Sequence, residues 1–209
     1  MELVSFQSAK YTRIVRRRLK PDAMRSGARE RLRKRYRPDR VRILFVGESP
    51  PASGRSFYRA NSGLYRAVRE TFLIAFPSLG TTDFLDSFRS LGCYLVDLCD
   101  EPVDKMTRHA RRCACRAGEV GLTRAIRALR PEIIITVVRS IRANVRRTQE
   151  QAGWSGLNLE LPYPGRWYRH RIQFRQQLLP LLRNTVIGVP VLLRSCKAIQ
   201  MGTGGLPQC

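Results

Sequence analysis

The run Ile133-Ile134-Ile135-Thr136-Val137-Val138 restricts the fold more than any other segment. Six consecutive β-branched residues read as a strand buried on both faces, because a half-exposed strand alternates apolar and polar positions. Two shorter runs have the same character, Ile43-Leu44-Phe45-Val46 and Cys93-Tyr94-Leu95-Val96. Segments of helical spacing separate them. Leu64, Tyr65, Val68, Phe72 and Phe76 mark a helix from about Gly63, and Leu122, Ala125, Ile126 and Leu129 mark another, ended by Pro131. Residues 139–151 form a third, stopped near Gly153. A last helix runs over residues 168–183 with Ile172, Leu178, Leu179 and Leu182 inward. Leu157-Asn158-Leu159-Glu160-Leu161 alternates, as suits a sheet edge. Strands alternating with helices predict a three-layer α/β/α fold, with a central, mostly parallel four-stranded sheet joined by right-handed crossovers. In such sheets the ligand sits beyond the carboxyl ends of the strands. The loops at 47–51, 97–102, 139–140 and 162–166 are therefore expected to converge there.

The chain's 209 residues suffice for one domain. The sequence divides into a basic helical extension (1–40), an α/β domain (41–195) and a Gly-rich, loose tail (196–209). The extension carries 14 Arg or Lys against four acids, and Pro21 splits it into two predicted helices. Arg16, Arg17 and Arg18, then Arg33, Lys34 and Arg35, form two basic clusters. They suit a phosphate-contacting arm, or a solvated basic helix packed on the domain by Ile14, Val15 and Leu19. Over the whole chain 39 Lys and Arg face 16 Asp and Glu, a formal charge of +23. Self-repulsion on that scale points to a polyanionic partner, although an Arg-rich proteome would give the same excess. No stretch is apolar enough to span a bilayer, and no apolar secretory signal is evident near Met1. The expectation is a cytoplasmic, nucleoid-associated monomer with reduced thiols.

Two loops carry chemistry. In Gly47-Glu48-Ser49-Pro50-Pro51 a carboxylate sits at a strand end with prolines stiffening the chain behind it, and Phe57 and Tyr58 follow. A carboxylate beside aromatic rings suits water activation against a stacked ring substrate, although a Glu after a strand also serves to cap helices. Pro162-Tyr163-Pro164-Gly165-Arg166-Trp167-Tyr168-Arg169-His170-Arg171 interleaves aromatics with Arg, a combination that stacks on bases and grips phosphates. Arg at a helix start opposes the macrodipole, so local stability does not explain it.

Taken in order, these segments resemble the motifs of the uracil-DNA glycosylase superfamily. Gly47-Glu48-Ser49-Pro50 is similar to its first motif, closest to the Gly-Glu-Ala-Pro-Gly variety. Gly92-Cys93-Tyr94-Leu95-Val96-Asp97 resembles its second strand, Pro131-Glu132-Ile133-Ile134-Ile135 its third, and Leu161-Pro162-Tyr163-Pro164 stands where its final His-Pro motif falls. The resemblance covers roughly residues 41–182. It implies a monofunctional glycosylase that flips a damaged, deaminated base from single- or double-stranded DNA and hydrolyses its N-glycosidic bond. Glu48 would orient water or steady the oxocarbenium-like sugar. Ser49 and Pro50 would approach the substrate, Phe57 would stack on the base, and Asp97 would face its edge. Arg166, Trp167, Tyr168, Arg169, His170 and Arg171 would hold the DNA open.

Two departures stand against uracil excision. Leu161 replaces the His expected to donate to the leaving base, and Asp97 replaces an Asn that offers both donor and acceptor. A nucleic-acid-binding relative without catalysis, and a hydrolase of free nucleosides or nucleotides, are therefore carried as alternatives. Some relatives hold a four-Cys iron–sulfur cluster. The extension has no Cys, and Cys99, Cys113 and Cys115 with His109 fit no standard metal spacing, so neither metal nor cofactor is expected.

Overall fold

The computed structural model describes residues 27–81, 83–165 and 167–186. The clusters at Arg16–18, the helix expected before Pro21, Arg166 and the 196–209 tail lie outside the described residues. Four parallel strands form one sheet: β1 (Ile43–Gly47), β2 (Cys93–Asp97), β3 (Ile133–Thr136) and β4 (Leu157–Glu160), in the order β2-β1-β3-β4. The register sets Gly47 beside Asp97, Val46 beside Thr136, and Thr136 beside Glu160. β1 and β3 are buried throughout, as their unbroken apolar runs require. β4 forms one edge, and its alternating residues are only partly covered.

Six α-helices surround the sheet among the described residues: α1 (residues 27–35), α2 (Gly63–Ala75), α3 (Phe84–Ser90), α4 (Arg108–Leu129), α5 (Arg142–Ala152) and α6 (Tyr168–Val186). The path from β1 leads outward to β2, then back across β1 to β3, then on to β4. Right-handed crossovers therefore put α2 and α3 on one face, and α4 and α5 on the other. Packing agrees, because α4 pairs with α5 and α2 with α6. The result is the three-layer α/β/α fold, with all four strands parallel. Among the described residues no helix is long and apolar enough to cross a membrane.

Local signals account for most boundaries. Ser62 caps α2 by accepting from the Tyr65 N–H at 3.1 Å. Gly153, at φ 64°, ends α5. An α2–α3 aromatic cluster covers β1, with Phe45 5.3 Å from Phe88 and Phe72 5.6 Å from Phe84 between ring centres.

Four details differ from the sequence reading. α4 begins at Arg108, so its first half, polar on most faces, is helical too. α3 has only seven residues, too few to show a period, and Asp83 caps it. β3 ends at Thr136, leaving Val137 and Val138 on the loop beyond it. In α6 the fully buried residues are Phe174, Leu178 and Leu182, at a spacing of four, while Ile172 and Leu179 are half-buried.

Candidate active-site cavity

A cavity of about 560 Å³ opens at the carboxyl ends of the strands. That is room for a ligand the size of a nucleoside. Its lining brings together Glu48, Ser49 and Pro50 after β1, Phe57, Asp97 at the end of β2, and Tyr163 from the loop after β4. The loop after β3 contributes Val137 and Val138, not Arg139 and Ser140. Arg29, Glu30, Leu32 and Arg33 of α1 form a further wall. The basic helix thus packs on the domain, with Arg29 bridging to Glu101 and the Asp100 carbonyl and Arg33 pairing with Glu30.

Backbone pairing continues past the strand ends and fixes the first two loops to each other. Gly47 O accepts from Leu98 N at 2.9 Å and Glu48 O from Cys99 N at 2.8 Å. Ser49 Oγ accepts from Val103 N at 3.3 Å, and Asp104 Oδ1 accepts from Ala52 N at 3.2 Å. A Cβ at Gly47 would meet Asp97 Oδ1, so a larger residue there requires the Asp97 carboxylate to move. Tyr163 is held by packing over Gly165, where a Cβ has no room.

Glu48 does not stand alone. The Arg111 fork grips its carboxylate, with Nε donating to Oε1 at 2.7 Å and Nη2 donating to Oε2. Such a bidentate pair is among the stronger polar contacts a protein makes. The Glu48 side chain is 12% exposed and that of Arg111 40%, so the guanidinium occupies the outer position. Cys115 Sγ lies 3.8 Å from Glu48 Oε1 and 3.8 Å from Cys99 Sγ. Burial pushes the Cys99 thiol up to about 12 and raises that of Cys115, so both stay protonated near neutrality. Cys113, two residues along α4, faces solvent, 3.6 Å from His109 Nε2. Among the described residues no three His, Cys, Asp or Glu side chains come together in a metal-binding arrangement.

Asp97 differs from the ionised, acceptor-only carboxylate expected from its residue type. Removal from water pushes its carboxyl up to about 7, against the lowering effect of Arg33 and Arg29, while Asp100 and Glu48 add to the rise. Near neutral pH a large fraction is protonated and carries an O–H donor beside an acceptor. The donor–acceptor pair that an Asn would present is thereby available from an Asp.

Phe57 is 5% exposed and is held edge-on by Tyr58 at 5.3 Å and Tyr65 at 5.8 Å. It contributes to the cavity wall and also belongs to the core. Tyr58 seals the outer edge of β2, its hydroxyl donating to Leu95 O at 3.1 Å and accepting from Leu95 N at 2.8 Å. Its ring stacks on Tyr36 at the end of α1, 5.7 Å away and 7° from parallel.

The remaining expected residues lie apart. Trp167 precedes α6 and Tyr168, Arg169, His170 and Arg171 start it, and none of them lines the cavity. Tyr168 is 77% exposed, Trp167, Arg169 and Arg171 are exposed, and His170 is half-buried. The exposed ones make the start of α6 aromatic and basic at its surface. Leu161 is fully buried, and its N–H donates to Thr136 O at 2.8 Å. Its side chain therefore belongs to the core and not to the cavity. Neither His109 nor His170 lines the cavity.

No protein-family model and no curated protein matches this chain.

Proposed function

We propose that the chain is a DNA glycosylase-like protein that takes a damaged base into this cavity and hydrolyses its N-glycosidic bond. The observation that carries the reading is the meeting of Glu48, Phe57, Asp97 and Tyr163 around one cavity of about 560 Å³. A ring substrate needs a flat apolar wall, a polar group for its edge and a carboxylate near the sugar, and those residues supply one of each. Glu48 orients the attacking water or steadies positive charge on the sugar. Asp97 reads the base edge. The surface formed by Trp167, Tyr168, Arg169 and Arg171 holds the unpaired strands, as aromatic and Arg side chains do elsewhere. The order of the strand-end motifs, similar to that of the uracil-DNA glycosylase superfamily, supports the same reading. The excess of 23 positive charges fits a nucleic-acid partner.

One observation favours a second reading, a protein of this fold that binds nucleic acid without releasing a base. Arg111 occupies both Glu48 oxygens, and the final-motif position holds the buried Leu161. Release of free base from lesion-bearing oligonucleotides separates the two readings.

A further inference from the structure

The Arg111–Glu48 pair has an asymmetric geometry. Arg111 Nε and Nη2 face the carboxylate, while Nη1 has no hydrogen-bond partner among the described residues. The carboxylate is the enclosed partner and the guanidinium the exposed one. Arg111 lies on the second turn of α4, whose first turn contains no acid. Lys105, Arg108 and Arg112 around it are exposed and form no ion pair among the described residues. Arg29 of α1 also lines the cavity, its guanidinium paired with Glu101 at 3.3 Å. Lys105, Arg108 and Arg112 oppose both one another and the α4 dipole, so folding stability does not account for their placement. Acids line the cavity too, Asp97 half-buried and Asp100 and Asp104 exposed.

We propose that Arg111 is a phosphate-binding residue and that its pairing with Glu48 is the closed state of the cavity. A phosphate arriving at the rim meets Nη1 first. It then takes over the fork, because guanidinium binds phosphate and carboxylate oxygens in the same bidentate way. Glu48 is released toward the cavity, with both oxygens open to water. The ligand chemistry is a phosphate ester, supplied either by the backbone of a nucleic acid or by the terminal phosphate of a nucleotide. In the nucleic-acid case this rests on the glycosylase-like reading, and it gives that reading a reason for the occupied carboxylate: substrate binding unmasks it.

Competition for one guanidinium makes a sign prediction that needs no catalysis. Isothermal titration would measure inorganic phosphate, thymidine monophosphate and an oligothymidylate without terminal phosphates against wild type, Glu48→Gln, Arg111→Gln and the double variant. Thermal melting would confirm that each variant folds, with Arg111→Lys as a second probe should Arg111→Gln unfold. Removing the internal competitor in Glu48→Gln is expected to tighten phosphate binding on the order of tenfold. Replacing Arg111 should cancel that gain. A gain with the oligothymidylate identifies a backbone phosphodiester, and a gain confined to inorganic phosphate and the mononucleotide identifies a terminal phosphate. Unchanged or weaker binding of all three probes to Glu48→Gln overturns the proposal, as does a gain that survives loss of Arg111. Neither result depends on base release, so failure here is distinct from failure of the glycosylase reading.

Discussion

The carboxylate of Asp97 lies over the α-carbon of Gly47, its register partner on the neighbouring strand, so closely that a side chain at Gly47 requires the carboxylate to move. The first residue of the Gly-Glu-Ser-Pro loop is thus coupled to the last residue of β2. Gly47→Ala is expected to cost about 1–3 kcal/mol, the usual range for overpacking. Asp97→Ala in the same chain should restore most of it. Urea melts of the two single variants and the double variant measure this coupling, and additive effects would contradict the contact.

Asp97 also predicts a pH dependence. Its folded-state carboxyl titrates at about 7, above the ordinary 3.8. Between those values the native chain holds a proton that the unfolded chain has lost, so this group's stabilising contribution falls as pH rises and is lost above about 7. Asp97→Asn removes the titration. It should stabilise the protein by about 1–3 kcal/mol at pH 8 and change little at pH 4. Melting temperatures of wild type and variant across that range check the sign.

Tyr58 satisfies both backbone groups of Leu95 at the free edge of β2. Tyr58→Phe leaves a buried N–H and C=O without that partner, at a cost of about 1–3 kcal/mol. Hydrogen exchange at the Leu95 amide should rise more than exchange at residues of β3. Equal protection of the Leu95 amide in the two proteins would contradict this role of the Tyr58 hydroxyl.

Tyr168 is 77% exposed at the start of α6, outside the cavity. Tyr168→Ala is expected to leave the melting temperature unchanged and to weaken binding of single-stranded DNA by about 1–3 kcal/mol. Fluorescence anisotropy with a labelled oligonucleotide reads the effect.

The sheet was legible because β1, β2 and β3 are apolar on both faces, so their sequences show unbroken runs. With the strands located, chain topology alone brings Glu48, Asp97 and the 162–166 loop to one end of the fold. Arg111 was not legible in the same way. It lies 63 residues from Glu48, in the half of α4 where exposed Arg and Cys obscure the apolar stripe. The available signal was electrostatic: four basic residues, Lys105, Arg108, Arg111 and Arg112, lie near a helix start with no acid in its first turn. The α1 wall was hidden for another reason. Its contacts through Tyr36 and Arg29 cross the chain to Tyr58 and Asp100, and spacing within α1 carries no trace of them. The proton on Asp97 is likewise a product of burial, which residue type alone does not reveal.

Base release tests the central claim most directly. Oligonucleotides carrying uracil, hypoxanthine, xanthine or a mismatched thymine, single-stranded and duplex, would be incubated with excess protein, and abasic sites scored by alkaline cleavage. The predicted result is cleavage at one or more of these lesions by the wild type, lost in Glu48→Gln while DNA binding persists. Absence of abasic sites at every lesion, with DNA bound, would contradict the claim and leave a nucleic-acid-binding protein.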